Sequence, residues 1–198
     1  MKLRHGTMLI VFIAFFSTSA LGAGLEEKVR EHTLKNGMKL LLVERHTSPT
    51  VAAWIRFKVG SVNERSDERG VAHMLEHMLF KGTRTLGTKD YAREKPLLDA
   101  IEETARKLMA EKLKGREADA KVIEELSRRL ARLEVEAGKY VVKNEISEIY
   151  DRNGGYNFNA FTGKDSTAYM ISLPANKLEL WAAIESDRFR NAVLREFY

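Results

Sequence analysis

The sequence of 198 residues contains no cysteine. No disulfide framework can hold its fold, and a thiol mechanism is excluded, although the absence names no compartment. Excess charge of one sign is also missing. The chain has 33 Lys and Arg against 28 Asp and Glu, and setting aside Lys2 and Arg4 leaves 31 against 28, a net of +3. So mild and evenly mixed a balance, without an aromatic-rich basic patch, does not point to nucleic acid. No apolar run reaches the roughly 20 residues of a membrane span. No internal repeat or low-complexity tract stands out.

What is there begins with an export signal. Lys2 and Arg4 form a charged start, residues 8–16 an apolar stretch, and residues 17–22 a run of small residues. Ala20 and Gly22 suit the −3 and −1 cleavage positions, with Leu21 and Ala23 as the alternative pair. Residues 1–22 are therefore expected to be removed, an uncleaved anchor being the other reading, and the rest is expected in the periplasm or secreted. After the signal, the length suits one domain with a real core.

The chemistry concentrates in Gly70-Val71-Ala72-His73-Met74-Leu75-Glu76-His77-Met78-Leu79-Phe80. On a helix, His73 and His77 lie four positions apart and point from one face, so they can share a metal. Zinc takes neutral imidazole nitrogens at about 2.0–2.1 Å together with further ligands. Glu76 borders that face, and a carboxylate there can act as general base and then acid. Val71, Leu75, Met78 and Leu79 are expected to bury themselves away from the ligands. The bland alternative is that the two histidines and the glutamate are only the polar side of an amphipathic helix. His32 and His46 lack ligand spacing and read as surface or loop residues.

Two blocks flank and follow this motif. The first runs Gly60-Ser61-Val62-Asn63-Glu64 and then Arg69 through Thr83. The second is Gly154-Gly155-Tyr156-Asn157-Phe158-Asn159-Ala160-Phe161-Thr162, followed by Asp165, Thr167 and Tyr169. In this order they resemble the inverzincin peptidases, which include pitrilysin, insulin-degrading enzyme and the mitochondrial processing peptidase. The resemblance implies a zinc-dependent endopeptidase, with His73 and His77 on Zn2+ and Glu76 in proton transfer. It also implies that Asn159 and Ala160 line the cleft, where a peptide or unfolded protein pairs with the main chain as an added strand. The alternative for Asn159 and Thr162 is that they only satisfy local turn and strand groups.

In the family resembled, the third zinc ligand is a glutamate on a helix downstream of the Gly-Gly block, expected here beyond Tyr198. Glu185 and Glu196 lack the surroundings of that ligand, and Glu145 and Glu148 stand before the block. A second homologous domain or subunit closes the site in relatives. Residues 23–198 are thus expected to be the N-terminal part of a peptidase domain. A non-catalytic peptide-binding or partner subunit is the rival reading, and a non-peptidase zinc hydrolase a third.

The patterning predicts an α/β fold of the α+β type: a largely antiparallel mixed sheet with packed helices, plus a helical-hairpin insertion over about residues 91–149. Asn36-Gly37 between apolar segments signals a β-hairpin. Val51, Ala53, Ile55, Phe57 and Val59 alternate as one face of a half-buried strand, with Trp54 and Arg56 on the other. Apolar stripes at Leu97, Leu98, Ile101, Ala105 and Leu108, and at Ile123, Leu126, Leu130 and Leu133, predict two antiparallel helices turning near Gly115. Their charges read as a solvated face. Tyr156, Phe158 and Ala160 alternate in a strand, a second strand follows from Ser166, and the chain is helical again from Ala175.

Overall fold

The computed structural model describes residues 25–198, so the export segment expected at 1–22 lies outside the described residues. The chain forms two compact units that divide between Ser48 and Pro49. In the first, β1 (Val29–Thr33) pairs antiparallel with β2 (Lys39–Val43), the hairpin expected around Asn36-Gly37. The Gly37 amide donates to the Leu34 carbonyl at 2.9 Å and the Leu34 amide to the Met38 carbonyl at 2.8 Å. Gly37 has φ 84° while Asn36 stays at negative φ. The loop is therefore the three-residue kind ending in a left-handed residue. A two-residue mirror-image turn would need positive φ at both positions.

The second unit is built on a three-stranded antiparallel sheet. Its order is β3 (Thr50–Phe57), β5 (Thr167–Pro174), β4 (Tyr156–Thr162), with β5 central. Cross-strand partners Ala53 and Ile171, and Ile55 and Tyr169, share the inner face, which is buried. Trp54 lies on the outer face and is exposed, as the alternation predicts. One expectation fails on β4. Tyr156 pairs with Ser172 but Asn159 with Met170, so one extra residue forms a bulge, with Asn157 at φ 56°. The bulge turns Tyr156 to the outer face while Phe158, Ala160 and Thr162 stay inside, because inserting one residue reverses the two-residue period.

Two helices, α4 (Glu145–Arg152) and α5 (Leu178–Arg190), cover one part of the inner face. Ile146 and Tyr150 from α4 meet Ile184 from α5 and Ala53, Ile171 and Leu173 from the sheet. The core also holds charge. Tyr150 donates to Glu185 at 2.7 Å, and Arg188 donates to Glu185 through Nε at 3.0 Å and Nη2 at 2.6 Å. The Arg188 guanidinium lies 4.7 Å from the Tyr169 ring centroid and 5.1 Å from that of Phe80. Its Nη1, which has no hydrogen-bond partner, is compensated by these aromatic faces. Sequence pattern alone leaves Arg188 on the polar side of α5, yet it is fully buried.

The expected helical hairpin is present as α2 (Tyr91–Leu113) and α3 (Ala120–Gly138), joined through Gly115 at φ 61°. Asp90 caps α2 and Asp119 caps α3 through bonds to backbone amides. Ile101, Ala105 and Leu108 are buried along the predicted stripe. Glu102–Arg106 and Glu103–Lys107 form the expected exposed pairs. Glu94 departs from the solvated-face reading: it is buried, and Arg195 grips both its oxygens at 2.6 and 2.9 Å. The hairpin helices end at Gly138, and α4 beyond them belongs to the core.

After β3 the chain passes tightly over the β4–β5 turn. The amides of Ser61 and Val62 donate to the carbonyls of Gly163 and Lys164 at 3.2 and 2.8 Å. A Cβ at Gly60 would stand 2.4 Å from the Gly163 oxygen and 2.6 Å from that of Lys164. At φ −160° its backbone is extended, so the constraint is space alone. Gly60→Ala is expected to cost about 1–3 kcal/mol of unfolding free energy, the usual cost of overpacking. Urea denaturation checks this, and a variant as stable as the parent would contradict the close approach.

Candidate metal centre

The motif forms α1 (Val71–Met78), which packs on β4 and β5. Its start is fixed by a residue outside the helix. The Glu64 carboxylate accepts from the Gly70 amide through Oε2 and from the Ala72 amide through Oε1, each at 2.8 Å. These bonds meet two amides at a helix N-terminus, where negative charge is favoured. They also hold Glu64 below its usual 4.5, the Gly70 bond first and the Ala72 bond second. Gly70 itself sits at φ 94°, in the left-handed region.

The helix buries a different face from the one expected. Met78 and Leu79 are buried as predicted, but Val71 and Leu75 are 55% and 48% exposed. Glu76 is buried at 6% exposure, whereas His73 and His77 are exposed. The two histidine Nε2 atoms are 3.1 Å apart. Two nitrogens bound to one tetrahedral ion at about 2.0–2.1 Å lie about 3.3–3.4 Å apart, so the pair fits zinc after a shift of a few tenths of an ångström. Without metal, the same spacing suits one ring N–H donating to the other ring's lone pair.

Glu76 Oε2 accepts a hydrogen bond from the Thr162 hydroxyl, across 86 positions of sequence. Thr162 is opposite Thr167 in the sheet, and the two hydroxyl oxygens are 3.3 Å apart. Thr167 Oγ1 is also 3.0 Å from the Val59 carbonyl, to which it donates. Tyr169 lies on the same face; its phenol is pushed up to about 12 by burial, with Arg188 opposing and Glu76 and Glu185 adding.

The carboxylates set aside in the sequence are occupied elsewhere. Glu185 belongs to the Tyr150–Arg188 cluster, and Glu196 pairs with Lys81 at 2.6 Å. Glu145 accepts from the Gly87 amide, and Glu148 pairs with Arg152. Among the described residues, no group of three or more His, Cys, Asp or Glu side chains stands together as a metal site. Asn159 is on the outer face, away from Thr162, and its Oδ1 accepts from the Ala160 amide at 2.9 Å. An incoming peptide would have to displace that bond to use the Ala160 N–H. The Glu64 cap and the Glu76–Thr162 bond were not legible in spacing; Glu64 and Thr162 were visible only as members of the two matching blocks.

A helix bearing His-x-x-Glu-His against an antiparallel sheet is the arrangement expected of a metallopeptidase-type α/β domain. Residues 39–110 match the family Insulinase (Peptidase family M16). An uncharacterized zinc protease of Rickettsia felis is 41% identical over 70 residues, spanning 35% of this chain and 17% of that protein. A protease from Helicobacter pylori has the same fold, with TM-score 0.55 and 23% identity over 86% of this chain and 27% of that one. The first half of the periplasmic protease PqqL from Escherichia coli matches with TM-score 0.52 and 24% identity, over 84% of this chain and 25% of that one. Over residues 39–110 the chain is thus similar to the inverzincin peptidases, and it spans only a small N-terminal share of the relatives it matches.

Glu64 yields a prediction about acid. Its folded pKa is lowered, so its contribution to stability is present above about 4.5 and is lost as pH falls through the folded value. Glu64→Gln is expected to melt at a lower temperature than the parent near pH 7, and the two curves converge at acid pH. Thermal melting across that range checks it; a constant gap at every pH would remove Glu64 as a charged cap.

Proposed function

We propose that this chain supplies the zinc-binding helix and the proton-transferring carboxylate of a zinc-dependent endopeptidase. The observation that carries the reading is the 3.1 Å spacing of the His73 and His77 Nε2 atoms, beside a buried Glu76. His73 and His77 hold the ion. Zinc, when bound, supplies Lewis-acid polarisation of the scissile carbonyl and makes water a better nucleophile. Glu76 takes a proton from the attacking water, and the C–N bond breaks as Glu76 returns that proton to the leaving amine nitrogen.

The substrate is an extended peptide or unfolded protein, held along the β4 edge at Asn159 and Ala160 once the Asn159 carboxamide swings off the Ala160 amide. The third ligand comes from a segment following Tyr198 or from a partner. A second homologous domain or subunit closes over the peptide. Residues 1–22 direct export, with residues 23–198 forming part of the peptidase domain and the α2–α3 hairpin an insertion in it. The periplasm is the compartment, in keeping with the PqqL protease that shares the fold.

The rival is a peptide-binding subunit without catalysis. Metal titration and peptide cleavage separate the two. His73→Ala or His77→Ala is expected to weaken zinc binding by more than the roughly 10–100-fold lost on removing an outer-sphere group. Glu76→Gln keeps the metal and lowers turnover by about 10²–10⁴-fold in the complete peptidase. Peptide binding that is indifferent to chelator, with no cleavage in the complete protein, supports the rival. A Glu76→Gln enzyme of normal turnover removes the role assigned to Glu76.

A further inference from the structure

The two histidines of α1 face solvent while the glutamate between them in the motif is buried, and this asymmetry requires a donor inside. A carboxylate withdrawn from water is costly unless it is hydrogen-bonded. The Thr162 hydroxyl meets that need, and the direction of its proton is determined by its surroundings. Thr167 has a single hydroxyl proton, which goes to the Val59 carbonyl at 3.0 Å or is shared with Thr162 Oγ1 at 3.3 Å. The Glu76 carboxylate can only accept from a neutral hydroxyl. The Thr162 proton is therefore committed to Glu76 Oε2, and Oε1 is the oxygen outside that bond.

The backbone carrying Thr162 is equally fixed. It ends β4, and the next residue, Gly163, accepts from Ser61 while Lys164 accepts from Val62. The same 60–64 loop ends in Glu64, which caps the start of α1 at the Gly70 and Ala72 amides, just ahead of His73. Helix and strand end are thus bound through a shared loop as well as through the side-chain bond.

We infer that Thr162 is a positioning residue: its hydroxyl, oriented by Thr167, holds Glu76 in one rotamer with Oε1 directed to proton transfer. The inference rests on the proposed peptidase reading for its consequence, but not for the bond. Thr162 binds neither metal nor substrate in this role. Its loss is expected to appear in kcat and not in KM.

Two experiments on the protein test it. In the metal-free full chain, Thr162→Val lowers Tm by roughly 3–10 °C, the range for a charge-assisted hydrogen bond in a chain of this size. Made in a Glu76→Met background, the same change lowers Tm little, because the acceptor is gone. Equal drops in the two backgrounds overturn the bond and the inference with it. In the complete peptidase, Thr162→Val lowers kcat about 10–100-fold, as removal of an orienting partner does. KM and zinc affinity stay within about threefold, and Thr162→Ser, which keeps the hydroxyl, restores most of kcat. A Thr162→Val enzyme of normal kcat, or a Thr162→Ser enzyme as slow as it, overturns the positioning role. If Glu76→Gln is itself fully active, the peptidase reading fails instead, and the melting comparison alone decides the inference.

Discussion

A buried carboxylate needs a donor, and for Glu76 that donor comes from the far side of the sequence. The Thr162–Glu76 bond can form only if the β4–β5 hairpin is in register and α1 is seated on it. Register depends on the bulge at Asn157: without it, the rest of β4 would turn its other face to the helix. Seating depends on the 60–64 loop, which crosses the hairpin turn at Gly60 and caps α1 with Glu64. The candidate centre is therefore a property of three segments held together, with the histidine pair as their exposed edge.

The distribution of charge follows the same logic. Pairs such as Glu102–Arg106 and Glu103–Lys107 lie on the outside of the helical hairpin. Exposed pairs of this kind are screened by water and contribute little, so the hairpin depends on its apolar stripe. Glu94–Arg195 and Glu185–Arg188 are different, because each is buried. Removing one partner of a buried pair strands the other, at about 3–5 kcal/mol. The first joins distant parts, Arg195 bringing the last residues onto α2 and the 81–86 loop; the second lies within α5, where Arg188 meets the aromatic rings beside α1. Their value lies in fixing which segments meet.

Periodicity made several elements legible. The alternation of β3, the αα-hairpin around Gly115 and the β1–β2 hairpin at Asn36-Gly37 all depend on neighbours in sequence, and all are present. Val71 and Leu75 were misassigned because helical spacing gives the faces of a helix without saying which one the sheet will cover. Tyr156 was misassigned because one inserted residue, invisible as a pattern, reverses a strand. Glu94 reads as solvated, and the burial of Arg188 leaves no mark, because a charged residue looks the same in sequence whether or not a partner over 90 positions away, or a ring of aromatics, encloses it.

The sequence by itself determined that His73 and His77 share a helix face with Glu76 beside them, since a helix's geometry converts spacing of three and four into adjacency. It also carried the resemblance to the inverzincin peptidases, through two ordered blocks of residues. Only the tertiary structure decided that Glu76 turns inward to Thr162, that Glu64 caps the motif helix, and that Asn159 closes the Ala160 amide on the opposite face. Each of these depends on which surfaces meet when the sheet and helices pack. Local spacing carries no information about contacts made between segments, because their energy exists only once the segments are brought together.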